Sequence, residues 1–310
     1  LFPKGNILDL TGGMGVDAYF ISEQVDSYDL LERQEYLCVV NKHNFKELGR
    51  TNIEVKNVDS IQYLDKNESK YAGIYLDPAR RNDDETRRVF FLEDFSPNIV
   101  ELQSKLWDHS DHIIVKLAPM LDINSVVKSL DYVSNIYILS WKNEVKELIV
   151  ELRKGATSFN RHAINLLGVS LEEEIFSSKN GVKVTLPRSR YLGYIYEPNK
   201  AILKAQLQDH VAHHHNLKKM NNNTHFYTSE NIVIDFPGRV FKVLKNLPAK
   251  EKPFRKEFSG DQANIISRNH PLKSADLHKR FSLRSGGEAY ILAFRGMNDK
   301  RYILGVERLK

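Results

Sequence analysis

The chain has a single cysteine, Cys38, in 310 residues. One thiol excludes an internal disulfide, a multi-cysteine zinc site and a cysteine-ligated iron–sulfur cluster, and it fits the expectation of a reducing, cytoplasmic setting. Long apolar runs are also missing. The longest, Ile113 to Met120, is interrupted by Lys116 and falls far short of the roughly 18 apolar residues of a membrane helix, so no membrane partner is expected. No basic-then-apolar leader opens the sequence. It begins with Leu1 rather than methionine and enters a strand pattern within a few residues, which reads as a fragment of a longer protein. Internal repeats and low-complexity tracts are absent.

What is present has a globular balance: 41% hydrophobic, 10% aromatic and 27% charged residues, in a length that suits about two compact units. The net charge of +5 conceals an asymmetry. Residues 1–155 carry 19 Lys and Arg against 26 Asp and Glu, a net of −7, whereas residues 156–310 carry 26 against 14, a net of +12. The acidic half suits a catalytic unit with a small cationic ligand. The basic half raises the potential toward polyanions such as RNA or DNA; the plainer alternative is a basic surface that only maintains solubility.

Short β-branched runs alternate with helical patterns through the first half, the signature of βαβ units and a parallel sheet. Strands are expected at Asn6–Leu10, Tyr28–Leu31, Ile53–Asn57, Tyr71–Leu76 and His112–Leu117, with helices at Val16–Gln24, Glu35–Leu48, from Ser60, Ile99–Trp107 and Ile123–Leu130. The fourth strand stops at Asp77-Pro78, because proline cannot donate to a ladder. Then Ile136–Trp141 and Glu147–Leu152, joined by residues 142–146, read as an antiparallel hairpin. Five parallel strands closed by a hairpin point to the methyltransferase variant of the doubly wound fold. Beyond Gly155 the periodicity weakens. Pro187–Arg190 looks like a boundary, Tyr191–Tyr196 and Ile232–Phe236 like strands, and Lys200–Leu217 like one helix. Further strand-like runs are Arg239–Leu244, Ala289–Arg295 and Arg301–Glu307, and Ser274–Arg280 is helical.

The sharpest motif is Leu8-Asp9-Leu10-Thr11-Gly12-Gly13-Met14-Gly15-Val16-Asp17, a strand running through glycines into a helix. Glycines permit a tight turn and bring backbone N–H groups against a ligand. Gly13 to Ala18 also satisfies the dinucleotide pattern G-x-G-x-x-A, and Glu32 lies where a ribose-binding acid is expected. Asp9 separates the readings: a carboxylate beside the glycines repels a pyrophosphate but attracts an ammonium. S-adenosylmethionine, with its sulfonium, ammonium and ribose diol, is such a ligand. Glu32 fits the diol and Asp59 the adenine amino group, although Asp59 fits a helix N-cap equally well. The expected cofactor set is Asp9, Thr11, Gly12, Gly13, Gly15, Asp17, Glu32, Arg33, Asp59 and Ser60.

The second motif, Asp77-Pro78-Ala79-Arg80-Arg81, falls where open α/β sheets place their sites. A carboxylate and carbonyls there can accept hydrogen bonds from an exocyclic amine and align its lone pair for methyl transfer. Asp77, Pro78, Arg80 and Lys116 are the expected catalytic group. Lys116 offers an alternative, in which it lowers the pKa of a ribose hydroxyl together with Asp77 and Glu147 or Glu151; a snorkelling lysine is the bland reading. Cys38, on the helix after the second strand, reads as a core residue, not a pyrimidine-directed nucleophile. His210, His213, His214 and His215 lack a carboxylate at defined spacing and read as a solvated helix end, so no metal is expected. Lys245, Lys250, Lys252, Arg255 and Lys256, interleaved with Phe254 and Phe258, are the candidate RNA-contacting loop with stacking aromatics.

At these residues the chain resembles the bacterial class I S-adenosylmethionine-dependent methyltransferases with a ferredoxin-like segment and a C-terminal THUMP-like domain. The matching stretches are 9–17, 75–81 and Val115-Lys116-Leu117-Ala118-Pro119-Met120-Leu121-Asp122 in the first half. Tyr196-Glu197-Pro198-Asn199 with 202–205, and Arg268-Asn269-His270-Pro271-Leu272 continuing to Arg280, Gly286 and Gly287, carry it through the second. The resemblance implies an α/β fold: a Rossmann-like seven-stranded sheet, parallel with an antiparallel terminal hairpin, plus a smaller α+β C-terminal region. It implies a methyltransferase domain at 1–188, a ferredoxin-like segment at 189–230 and a THUMP-like, RNA-binding domain at 231–310. The implied activity is methylation of tRNA or rRNA, at an exocyclic base nitrogen, guanine N2 by motif type. Ribose 2′-O-methylation through Lys116 and a non-catalytic RNA-binding protein are the alternatives. The family's segment before the first strand is absent here, and Arg80 stands where amine methyltransferases commonly place an aromatic residue.

Overall fold

The computed structural model describes residues 1–80, 91–168 and 172–310, so Arg81 and the charged loop through Arg88 lie outside the described residues. The chain forms two compact units, one of Leu1–Ser140 with Val145–His162 and one of Trp141–Glu144 with Ala163–Lys310. Among the described residues no helix is long and apolar enough to cross a membrane.

The first unit holds β1 (Asn6–Asp9), α1 (Val16–Ile21), β2 (Ser27–Glu32), α2 (Glu35–Glu47), β3 (Ile53–Asn57), α3 (Ser60–Lys66) and β4 (Gly73–Leu76). It continues with α4 (Ile99–Trp107), β5 (His112–Leu117), α5 (Ile123–Ser129), β6 (Val133–Trp141) and β7 (Glu144–Arg153). These seven strands run in the order β3-β2-β1-β4-β5-β7-β6 and belong to a nine-stranded sheet, two more than expected. The pairs β3–β2, β2–β1, β1–β4 and β4–β5 are parallel, and β5–β7 is antiparallel. Parallel strands covered on both faces must be apolar throughout, and β4 is buried along its whole length. Cys38 lies in the core beside Tyr28, Leu30 and Phe45, as its position in the sequence suggests.

The hairpin is tighter than expected. Its turn is only Lys142-Asn143, both with positive φ, +49° and +62°, the geometry of a two-residue primed turn. Residues 144–146 extend the strand β7 instead of lengthening the loop. Their alternation of exposed charge with a half-buried valine hides them from an apolar-run criterion. The same reason conceals two neighbouring strands past Gly155, β8 (Asn160–Leu166) and β9 (Glu173–Lys179). The latter alternates exposed and half-buried along all seven residues.

The second unit adds β10 (Tyr194–Pro198), α6 (Lys200–Ala205), α7 (Gln208–His214), β11 (Lys218–Lys219), β12 (Tyr227–Ser229) and β13 (Gly238–Asn246). After these come α8 (Glu251–Glu257), β14 (Gln262–Arg268), α9 (Ser274–Arg280), β15 (Arg284–Arg295) and β16 (Arg301–Arg308). They form a seven-stranded sheet in the order β11-β12-β10-β13-β16-β15-β14, antiparallel except for β14–β15.

Three expectations are corrected here. The helix over 200–217 is two helices, because Gln206 takes the left-handed conformation, φ +60°, and ends the first. Residues 232–236 form no strand: Phe236 is buried, but Ile232 and Ile234 are exposed. The candidate RNA-contacting loop is the end of β13 and the helix α8, and Phe254 is a core residue. Its ring is 0% exposed and stacks on Phe281 at 3.9 Å and 11°, so it offers no face to a base. A run of lysines masks its role, since helix α8 buries one apolar side chain between exposed charges.

Candidate functional site

The carboxyl ends of β1, β2, β3 and β4 lie at one edge of the first sheet, where open α/β sheets form their ligand crevices. The glycine turn leaves β1 there. Gly13 and Gly15 have φ of +50° and +72°. At Gly15 a side chain would be strained and would also meet the Phe45 ring at 2.6 Å and Asn41 Oδ1 at 2.8 Å. Gly12 N–H donates to the Leu31 carbonyl at 2.9 Å, which ties the turn to β2.

Glu32, at the end of β2, completes this turn. Its Oε2 accepts from Gly13 N–H and its Oε1 from Gln34 N–H, both at 2.8 Å. A carboxylate has about four acceptor positions, so two remain for a ligand. The side chain lines a hollow of about 230 Å³ together with Arg33, Asp59, Ser60 and Asp77. Asp59 caps α3, its Oδ1 accepting from Ile61 N–H at 3.0 Å and Gln62 N–H at 3.1 Å. The cap and the crevice wall are thus the same residue.

A second hollow of about 250 Å³, sharing Thr11, Gly13 and Asp77 with the first, is lined by Asp9, Gly15, Asp17 and Lys116. Asp9 presents little surface to it, at 2% exposure. Its Oδ1 accepts from Thr11 N–H at 2.8 Å and its Oδ2 from the Tyr28 hydroxyl at 2.9 Å. Burial pushes its carboxyl up to about 7, against the opposing pull of these hydrogen bonds. Asp9 therefore sets the shape of the glycine turn, and its charge changes near neutrality. Tyr28 is a partner that nothing in the sequence signals.

On the far wall Lys116, a half-buried lysine in an otherwise apolar strand, bridges two carboxylates. Its Nζ lies 2.5 Å from Asp17 Oδ2 and 2.8 Å from Asp77 Oδ2. Burial opposes its charge, but the two carboxylates outweigh burial and hold its pKa above the ordinary lysine value. The snorkelling alternative is replaced by a buried-facing ion bridge. Burial raises the Asp77 carboxyl, with Lys116 pulling the other way. The Asp77 N–H donates to Thr11 Oγ1 at 2.7 Å, which joins the two motifs directly. The Tyr75 hydroxyl donates to Asp17 Oδ2 at 2.8 Å. Tyr75 lies within the motif stretch 75–81 but carries no spacing signal of its own.

Of the two glutamates considered with Lys116, only Glu147 senses it electrostatically. Glu151 is engaged elsewhere, by His112 at 2.9 Å, Asn135 at 2.6 Å and Arg153 at 2.8 Å. Despite burial these partners hold its carboxyl down to about 2. Pro78 is buried and Arg80 exposed, in a two-residue pairing of Ala79–Arg80 with Phe95–Ser96.

In the second unit Lys250, Lys252 and Lys256 are exposed, whereas Lys245 bonds the Glu257 carbonyl and Arg255 bonds the Gly260 carbonyl and Asp261. The histidines lie on α7 and at its end, with the His214 ring edge-on to Phe176 and His215 edge-on to Phe236. Among the described residues no three His, Cys, Asp or Glu side chains converge to hold a metal.

Residues 194–237 match a ferredoxin-like domain family and residues 238–307 a THUMP domain-like family. A crystal structure from Porphyromonas gingivalis W83, provisionally named a methyltransferase, covers 100% of this chain with 78% of its own, at 29% identity and a TM-score of 0.85. A Streptococcus mutans protein, also provisionally named a methyltransferase and solved with S-adenosylhomocysteine, covers 49% of this chain with 90% of its own, at 11% identity and a TM-score of 0.36. An rRNA methylase from Streptococcus thermophilus covers 50% with 89% of its own, at 14% identity and a TM-score of 0.35. No protein of curated function matches. The first sheet has the Rossmann-like arrangement of the methyltransferase-named structure from Porphyromonas gingivalis W83. More particularly, this chain carries a ferredoxin-like and then a THUMP-like domain after that sheet.

Proposed function

We propose that the protein is an S-adenosylmethionine-dependent methyltransferase acting on RNA, tRNA or rRNA, at an exocyclic base nitrogen, with guanine N2 as the first candidate. The observation that carries this reading is Glu32, fixed by two backbone N–H groups at the end of β2 and facing a crevice it shares with Asp59 and Asp77.

The residues present fit this cofactor. Glu32 keeps two acceptor positions for a ribose diol, Asp59 and Ser60 line the adenine end, and Asp9, Asp17 and Asp77 surround the second hollow with negative potential. When bound there, the cofactor supplies an electrophilic methyl group on a sulfonium. Asp9 holds the glycine turn through Thr11 rather than meeting the ammonium directly. Glu32 fits a ribose in either cofactor, but the Asp9 carboxyl beneath the glycine turn disfavours a pyrophosphate there, which weighs against the dinucleotide reading. Asp77 and the Pro78 carbonyl accept hydrogen bonds from the acceptor amine and turn its lone pair toward the methyl group, so catalysis is chiefly alignment. Lys116 fixes the Asp77 carboxylate by holding one oxygen. Its charge is taken up by Asp17 and Asp77 rather than left open to a ribose hydroxyl, which favours the amine as acceptor.

The THUMP-like domain and the basic second half support RNA as the substrate, because THUMP domains are RNA-binding modules. Incubation of the protein with radiolabelled cofactor and total RNA, followed by nucleoside mass spectrometry, tests the reading. The expected product is an N-methylated base, and absence of label from RNA refutes it.

A further inference from the structure

The acidic crevice cannot itself hold RNA phosphates, so the backbone must be gripped elsewhere. Three arginines of the second unit form a cluster on the sheet face covered by α8 and α9. Arg295 on β15 stands directly opposite Arg301 on β16. Two residues before Arg295 and two after Arg301, Ala293 and Ile303 pack on Leu277 and Phe281. By strand alternation the two arginines leave the sheet on that same face, beyond the core. Arg280 ends α9, which covers it. All three charges bear on His270, whose protonation is disfavoured by its burial and by Arg301, Arg280 and Arg295.

Like charges directly opposite across a ladder are destabilising. Here nothing among the described residues relieves them. Among the described residues neither Arg280, Arg295 nor Arg301 has a carboxylate within ion-pair distance or a side-chain hydrogen bond, and the Arg295 Nε is buried without a partner. The acid in the turn between the strands, Asp299, faces Asn221 instead. By contrast, Arg239 and Arg268 of the same unit are both paired with Glu197. Unpaired guanidinium groups present up to five donors each in a planar fork matched to phosphate oxygens.

We infer that Arg280, Arg295 and Arg301 form the principal phosphate-binding platform for the RNA backbone, ahead of the lysines of α8. Neutral His270 sits beside them as a hydrogen-bonding group. The inference rests on the RNA reading above.

The test measures binding of a tRNA transcript and an rRNA fragment by fluorescence anisotropy between about 50 and 300 mM salt. Arg295→Gln/Arg301→Gln removes two charges. If each contacts one phosphate, the slope of log K against log salt shrinks by roughly 1.4, using about 0.7 per single-strand contact. Arg295→Lys/Arg301→Lys is expected to keep most of the slope. Lys250→Gln/Lys252→Gln/Lys256→Gln is expected to change it less than the arginine pair does. Arg280→Gln, on an exposed helix end, gives an independent reading free of any folding effect in the sheet. Slopes of the arginine variants equal to that of the unaltered protein, or a larger loss in the lysine variant, overturn the platform while leaving RNA as substrate. If the unaltered protein binds neither RNA, the RNA reading itself falls and the platform with it.

Discussion

The buried carboxyl of Asp9 makes a quantitative prediction that links folding to ligand binding. Its pKa rises from 3.8 to about 7 because burial withholds water from the charged form. A group whose folded pKa is raised leaves stability intact below the unfolded pKa and removes it as pH climbs through the folded one. The relevant window is therefore between about pH 4 and pH 7. A rise of about three units corresponds to roughly 4 kcal/mol of lost stability once the group is ionised in both states. Asp9→Asn keeps an acceptor for the Thr11 N–H, and the Tyr28 hydroxyl can accept from the new amide, so the turn is preserved. The variant should match the protein near pH 4 and exceed it by several kcal/mol near pH 8, read from urea denaturation across pH. A cation bound in the adjoining hollow stabilises the ionised carboxylate. Calorimetry with S-adenosylhomocysteine should then show affinity rising as pH passes about 7, and Asp9→Asn should lose that rise. Parallel stability curves for the two proteins between pH 4 and pH 8 would refute the reasoning about Asp9.

Further outcomes follow from the same geometry. Glu32→Ala removes a charged acceptor with two positions open to a diol, at about 1.5 kcal/mol each, so affinity for S-adenosylhomocysteine should fall roughly 100-fold by calorimetry. Asp77→Ala should lower methyl transfer to RNA by at least about 100-fold with cofactor affinity kept, and full turnover in that variant removes Asp77 from the mechanism. Phe254→Ala should lower stability by about 3–5 kcal/mol in urea, from loss of the stack on Phe281, while the RNA salt slope stays the same.

Much of the first unit is legible in the sequence because its central strands are buried on both faces and so are apolar along most of their length. His112–Leu117 and Ile99–Trp107 agree with expectation to the residue. The glycine turn, Glu32, Asp59 and Asp77 are legible for a different reason: each sits at a strand end, where backbone geometry and chemistry restrict the residue type. The amphipathic strands β8 and β9 and the break at Gln206 are not, because half-exposed pairing and a single left-handed residue leave little trace in local composition.

Tertiary structure alone decided the rest. Charge and spacing determined that an acidic crevice precedes a basic region, since both depend only on which residues the chain contains and in what order. They could not say that Lys116 spans Asp17 and Asp77, residues far apart in the chain that meet only when β5 lies beside β4. Nor could they tell a buried Phe254 from an exposed one, or reveal that Arg295 faces Arg301. Side-chain burial and pairing are set by long-range packing, and the electrostatic environment of every group in the site follows from it.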